Sequence, residues 1–131
     1  MRISSVRTIA LVSLATATFA CTSTSASPSP DQNSSTGLLQ VQRVESTATL
    51  TLPARVTLQV TGILADSCTQ LGAVSQSRDG ATVTVLIATN RQGTICAQVT
   101  STATVQVPLD GAFSAGEYLA HVNATDYRFK I

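Results

Sequence analysis

Hydrophobic and polar positions divide the chain into three parts. Between the cations Arg2 and Arg7 and the first acid, Asp31, lies one apolar run, Ile9 to Ala15, which continues through small residues to Phe19-Ala20. From Thr22 to Gly37 no apolar side chain larger than Ala occurs. From Leu38 onward the pattern has period two. Leu39 and Val41 alternate with polar neighbours, and Ala48, Leu50 and Leu52 alternate with Thr47, Thr49 and Thr51. Val56, Leu58 and Val60 follow in the same way, then Val83, Val85 and Ile87, then Val105 and Val107. Tyr118, Ala120 and Val122 alternate with Glu117, Leu119 and His121, and Tyr127, Phe129 and Ile131 with Arg128 and Lys130. Short alternating runs separated by Gly, Pro, Asn or Asp predict strands, and no sustained 3.6-residue apolar period predicts a helix after the first part. Asp79-Gly80 predicts a hairpin turn, because Gly tolerates positive φ. Asn123-Ala124-Thr125-Asp126 closes a last hairpin on the strand carrying Tyr118. Strands at this spacing in one domain suggest an antiparallel sandwich.

The first part reads as an address. A basic start, an apolar stretch of roughly 7–15 residues and a small-residue cleavage site define a secretory signal peptide over 1–20, too short for a membrane-spanning helix of about 20 apolar residues. Cys21 follows Thr18-Phe19-Ala20, which resembles a bacterial lipobox with Ala20 as the small residue before the Cys. That resemblance implies that Cys21 is lipidated and holds the mature chain to a membrane. Ordinary cleavage after Ala17 or Ala20 is the alternative, giving a soluble periplasmic or extracellular protein. The stretch 21–37, rich in Ser, Thr and Pro, cannot bury enough surface to offset its ordering entropy and reads as a linker. Residues 38–131 are then the folded domain.

Composition sharpens this division. The 131 residues include 20 Thr and 15 Ser but one Lys and no Trp, and 11% are charged. Small β-branched residues with few aromatics favour strands. Eight cations and seven acids nearly cancel, so nothing in the charge suggests a nucleic-acid footprint, for which a basic stripe is expected. Cys68 and Cys96 remain as an even pair, and in an exported protein one disulfide is the economical reading. A redox or metal role lacks both a C-x-x-C and any His other than His121.

Candidate chemistry is sparse. Ala112-Phe113-Ser114-Ala115-Gly116 falls one residue short of a nucleophile elbow and lacks its strand–turn–helix setting. A Ser114–His121 pair is conceivable, but His121 falls on the outward register. Asp66, Asp79, Asp110 and Asp126 suit turns and caps better than paired acid–base work. The expectation is a non-enzyme without a metal or cofactor. A proteinase inhibitor is an alternative, with Asn90-Arg91-Gln92-Gly93-Thr94 as its loop and Arg91 as a basic anchor. Tyr118, near the start of the penultimate strand, fits a tyrosine corner of a Greek-key sandwich, with Leu109 covering its ring.

Four stretches carry a further resemblance. Gly62-Ile63-Leu64-Ala65-Asp66-Ser67-Cys68-Thr69, Ile95-Cys96-Ala97-Gln98, Val107-Pro108-Leu109-Asp110, and Ala115-Gly116-Glu117-Tyr118 followed by Val122-Asn123 are similar to the G-x-L-x-D-x-C-T, C-x-Q, V-P-L-D and A-G-x-Y-x-x-x-V-N stretches of small uncharacterised bacterial secreted and lipoprotein domains. Thr100-Ser101-Thr102-Ala103 and Ala124 depart from that pattern. The resemblance implies an immunoglobulin-like β-sandwich in the cell envelope with no established activity. The chain is therefore expected to be an all-β, antiparallel Greek-key sandwich of the immunoglobulin or fibronectin III kind. Its expected function is a non-catalytic module displayed on the envelope, binding another protein or a glycan.

Overall fold

In the computed structural model, which describes residues 34–131, the chain forms eight strands. They are β1 (Ser34–Leu38), β2 (Gln40–Ala48), β3 (Val56–Leu64), β4 (Thr69–Asp79), β5 (Thr82–Gln92), β6 (Ser101–Pro108), β7 (Glu117–Val122) and β8 (Thr125–Lys130). The expected signal peptide, Cys21 and residues 22–33 lie outside the described residues. Ser34–Gly37, assigned above to the linker, belong instead to β1. All five residues of β1 are exposed, and the strand exists because its backbone pairs with β5, from Ser34 opposite Gln92 to Leu38 opposite Ala88. Composition arguments weigh side-chain burial and do not register an edge held by ladder hydrogen bonds.

Two sheets face each other as a β-sandwich. β2, β3 and β6 form one, in that order. In the other, β4 pairs with one edge of β5, while β1 and β7 share the opposite edge and β8 pairs with β7. The β5–β7 pair is parallel, with Thr82 opposite Leu119 and Val85 opposite Val122. This departs from a wholly antiparallel arrangement. After β5 the chain crosses to the other sheet for β6 and returns, so β7 enters from the end at which β5 began.

The period-two apolar residues meet in the core. Val56, Leu58 and Val60 of β3, Val83, Val85 and Ile87 of β5, and Ala120 and Val122 of β7 are all buried. Phe113, from the β6–β7 connection, is fully buried and held by a two-way backbone bridge to Ala54, with Ala54 N–H to Phe113 C=O at 2.7 Å and the return bond at 2.9 Å. Its ring meets Tyr118 edge-on at 5.0 Å and Phe129 at 6.0 Å, with the Arg78 guanidinium 4.1 Å above it. Tyr118 thus rests on Phe113 and Phe129.

One expected strand is absent. β2 ends at Ala48, and Leu50 and Leu52 are 104% and 66% exposed on a loop. Thr49 closes that loop at its base, donating its N–H to Arg55 C=O and accepting the Arg55 N–H on its hydroxyl, both at 2.9 Å. The chain between them is thereby turned out of the sheet, and alternation alone cannot distinguish such a loop from a strand. Conversely, β4 has too few apolar residues to signal itself; it forms as the hairpin partner of β5 across Gly80-Ala81, where Gly80 has φ 59°.

β1 and β7 run towards each other along the same edge of β5, and Ile87 lies opposite the gap between them. Asn123 fills that gap. Its Oδ1 accepts the Ile87 N–H at 2.8 Å, and its Nδ2 donates to Ile87 C=O at 3.1 Å and to Leu39 C=O at 2.7 Å. The side-chain amide stands where a strand peptide would stand. Asn123 has φ 51°, a conformation that Asn tolerates better than most residues. Leu39, buried at the crossing from β1 to β2, sits over Gly62, where a Cβ would lie 2.6 Å from Leu39 Cγ. Asn123→Gly retains the backbone angle but removes the acceptor of the Ile87 N–H and the donor to Leu39 C=O, while Ile87 C=O keeps the Leu39 N–H at 2.9 Å, and it is expected to lower stability by about 1–3 kcal/mol. Urea unfolding of the two proteins measures this, and an unchanged midpoint would show that the amide is dispensable.

Candidate functional site

Two places gather polar side chains, at opposite ends of β5. The first surrounds the disulfide between Cys68 and Cys96, whose Cα atoms are 5.5 Å apart. The turn after β3 places Asp66 beside it. Asp66 Oδ1 accepts the Cys68 N–H at 3.0 Å and the Thr69 hydroxyl at 2.7 Å, and Oδ2 accepts Arg91 Nε–H at 2.7 Å. Ser67 joins the loop after β5, donating its N–H to Ala97 C=O and accepting the Ala97 N–H on its hydroxyl. The Arg91 side-chain hydrogen bond, then that of Thr69, hold the Asp66 carboxyl down at about 2, below its usual 3.8, against the opposing effect of burial.

This geometry overturns the reading of Arg91 as an inhibitory anchor. Arg91 lies within β5 and not on a loop, and its guanidinium is committed to Asp66 and to Gly93 C=O. Asp66, Cys68 and Cys96 bring one oxygen and two sulfurs within 4.8 Å of one another. In the disulfide neither sulfur is a thiolate, and both Asp66 oxygens already accept hydrogen bonds, so the cluster acts as a brace between the β3–β4 turn and the β5–β6 loop.

The second place is a cleft of about 560 Å³ at the hairpin end of β5, β7 and β8, lined by Thr82, Glu117, Leu119, Arg128 and Lys130 among others. Register assembles it, for Thr82 lies opposite Leu119, Leu119 opposite Arg128 and Glu117 opposite Lys130. Tyr118 and Phe129, from the aromatic cluster, also reach its wall. One row along, His121 Nδ1 meets Asp126 Oδ1. The cleft offers two cations, one carboxylate, a hydroxyl and an apolar patch, which suits ion pairing and hydrogen bonding to a polar ligand.

Ser114 and His121 are not brought together. Ser114 precedes β7 and His121 lies near its far end, four residues beyond Glu117, or about 13 Å along a strand. Ser114 contributes its carbonyl instead, accepting the Tyr118 hydroxyl at 3.0 Å. Sequence reasoning assigned no residue to the cleft. Its members are ordinary outward positions on three strands, and only their pairing order makes them neighbours.

A family model described as the ORF11 β-sandwich domain matches residues 58–131, a span that contains the disulfide, the cleft and Asn123. Over 86 residues the chain is 28% identical to the uncharacterised 10.2 kDa protein in the HgiCIIM 5′ region of Herpetosiphon aurantiacus, covering 65% of this chain and 92% of that protein. No solved structure matches.

Because the folded pKa of Asp66 is depressed, its contribution to stability is present above the unfolded value of 3.8 and is lost as pH falls through about 2. Acid denaturation of wild type is expected to steepen in that window, and Asp66→Asn should remove that component; superimposable pH profiles would refute the brace. The disulfide closes a loop with a sequence separation of 28, so its removal in Cys68→Ser/Cys96→Ser should lower stability by roughly 3–4 kcal/mol, read as a shifted denaturant midpoint.

Proposed function

The chain belongs to the ORF11 β-sandwich domain family, and from that premise we propose that it is an exported, non-catalytic interaction module of the bacterial cell envelope, tethered through a lipid on Cys21. The observation that carries this reading is the placement of the cleft relative to the chain's entry. Ser34 lies opposite Gln92, at one end of β5, beside the braced disulfide. Thr82, Glu117 and Lys130 lie at the other end, about 30 Å away along an eleven-residue strand. A domain held from the N-terminal side therefore presents the cleft away from its point of attachment.

The partner suited to this cleft is an envelope protein or glycan carrying an exposed anionic group. Arg128 and Lys130 attract the charge, while Thr82 and Glu117 offer hydrogen bonds to neighbouring hydroxyl or amide groups. Positive charges that meet a partner at an exposed rim act on association and specificity, with modest energies each.

The test uses the full chain expressed in a bacterial host fed an alkyne-bearing fatty acid. Wild type is expected to take up the label and sediment with membranes, whereas Cys21→Ser is unlabelled and soluble. An unlabelled wild-type chain overturns the tether. Retention of the Cys21→Ser protein on washed envelope fractions tests the module separately. Arg128→Glu with Lys130→Glu should weaken that retention by about tenfold, equivalent to roughly 1.4 kcal/mol. Equal retention would exclude the cleft as the binding surface.

A further inference from the structure

We propose that the loop between β5 and β6 is a second contact with the bilayer, laying Ile95 and Val99 into the lipid surface at the pole where the chain enters. The inference rests on the tether through Cys21 proposed above. The observation that motivates it is a pair of apolar side chains held out in solvent, Ile95 at 95% exposure and Val99 at 64%. Single exposed apolar residues are ordinary, and a loose loop can fold such side chains beneath itself. This loop is pinned. Arg91 Nη1–H donates to Gly93 C=O at 3.4 Å, and Cys96 is bonded to Cys68. Ala97 C=O accepts the Ser67 N–H at 3.1 Å, and Ala97 N–H donates to the Ser67 hydroxyl at 2.9 Å. Ile95 stands between two of these pins, and Val99 lies just beyond the last.

Charge at this pole suits a lipid surface. Residues 34–42, 62–72 and 91–102, whose segments meet there, hold two charges, Asp66 and Arg91. These pair with each other at 2.7 Å. Bringing the loop to the boundary between headgroups and acyl chains therefore desolvates no unpaired ion, the cost that otherwise opposes such contact. Its polar neighbours are Thr, Ser and Gln, which keep hydrogen bonds to water and headgroups at that depth. The other exposed apolar pair on a loop, Leu50 and Leu52, lies at the end of β3 away from the disulfide. That pole also carries Arg55, Arg78, Asp79, Arg128 and Lys130, so the same contact there would strip water from free charges.

The occupant follows from where the chain enters. Ser34 lies opposite Gln92, at the foot of the same loop. Thirteen positions take the chain from Cys21 to Ser34, so a lipid on Cys21 keeps this pole within about 45 Å of the bilayer, the fully extended limit. Such confinement raises the effective concentration of lipid at the loop, and two side chains that bind weakly alone then act together with the anchor. Residues 22–33 contain no apolar side chain larger than Ala, and they supply nothing that would cover Ile95 and Val99 in place of lipid. Docking through the entry pole leaves the cleft, at the other end of β5, facing away from the membrane.

The test uses the full chain in vesicles of phosphatidylethanolamine and phosphatidylglycerol with brominated acyl chains, which quench indole on contact. The chain has no Trp, so Ile95→Trp and Leu50→Trp each place a single indole on an exposed loop, at opposite poles. Ile95→Trp is expected to shift its emission to the blue and to lose most of it in brominated vesicles, whereas Leu50→Trp keeps its own. Adding Val99→Asp should restore the Ile95→Trp emission, and raising the salt should not, because no free charge takes part. Flotation of the same samples reads the anchor separately. A chain that floats with an unquenched Ile95→Trp overturns the docking and leaves the tether standing, and a chain that does not float overturns both. Equal quenching of Leu50→Trp, no response to Val99→Asp, or release by salt also overturns the docking.

Discussion

The arrangement of this domain depends on one side-chain amide. Two strands, β1 and β7, compete for the same edge of β5, and each stops short of Ile87. A buried peptide group left without partners costs about 1–3 kcal/mol per group. Asn123 removes that penalty for the Ile87 N–H by supplying its acceptor; its amide donors reach Leu39 C=O and Ile87 C=O, the latter also bonded by the Leu39 N–H. Leu39 is where the chain passes from one sheet to the other. The same amide therefore joins the last hairpin, the central strand and the crossing, and Gly62 completes the fit because any larger residue would meet Leu39.

Around that junction the core is small and mostly aliphatic, and its two ends are reinforced by different means. At the end where β4 turns into β5, Phe113, Tyr118 and Phe129 pack ring against ring, capped by Arg78, and the Phe113–Ala54 bridge ties the β6–β7 connection to the start of β3. Aromatic pairs contribute beyond their area, by about 0.5–1.5 kcal/mol each. At the other end no aromatic is present among the described residues of the braced loops, and the disulfide with Asp66, Thr69 and Arg91 takes over. The cleft sits at the aromatic end, with Tyr118 and Phe129 of that cluster in its wall. The covalent brace lies on the side from which the chain enters.

This division explains why Arg91 and Asp66 were harder to interpret from sequence than Cys68 and Cys96. Two cysteines in an exported chain suggest each other without any further information. Asp66 and Arg91 are 25 residues apart, and nothing in the local pattern of either names the other. They become partners because β3 and β5 end at the same pole of the sandwich. The cleft residues present the same difficulty in a stronger form. Glu117, Leu119, Arg128 and Lys130 were visible only as the polar or outward half of two alternating runs, and their convergence on Thr82 follows from the parallel pairing of β5 with β7.

By itself the sequence determined the class of fold and most of its core, because burial of alternate side chains on a pleated strand depends only on local spacing. Val56 to Val60, Val83 to Ile87 and Tyr118 to Val122 could be assigned an inward face on that basis. Local spacing also misplaced Leu50 and Leu52, which have the same alternation but sit on a loop closed by Thr49 and Arg55. Beyond the two hairpins that turn residues announce, at Asp79-Gly80 and at Asn123–Asp126, only the tertiary structure decided which strand lies beside which. That choice made β1 an element without buried side chains, set β7 parallel to β5, and turned Asn123 from a hairpin residue into a substitute peptide. The physical reason is that backbone hydrogen bonds are the same for every residue. Outside the hairpins, pairing is chosen by the whole set of crossings between sheets, and no short stretch of sequence encodes it.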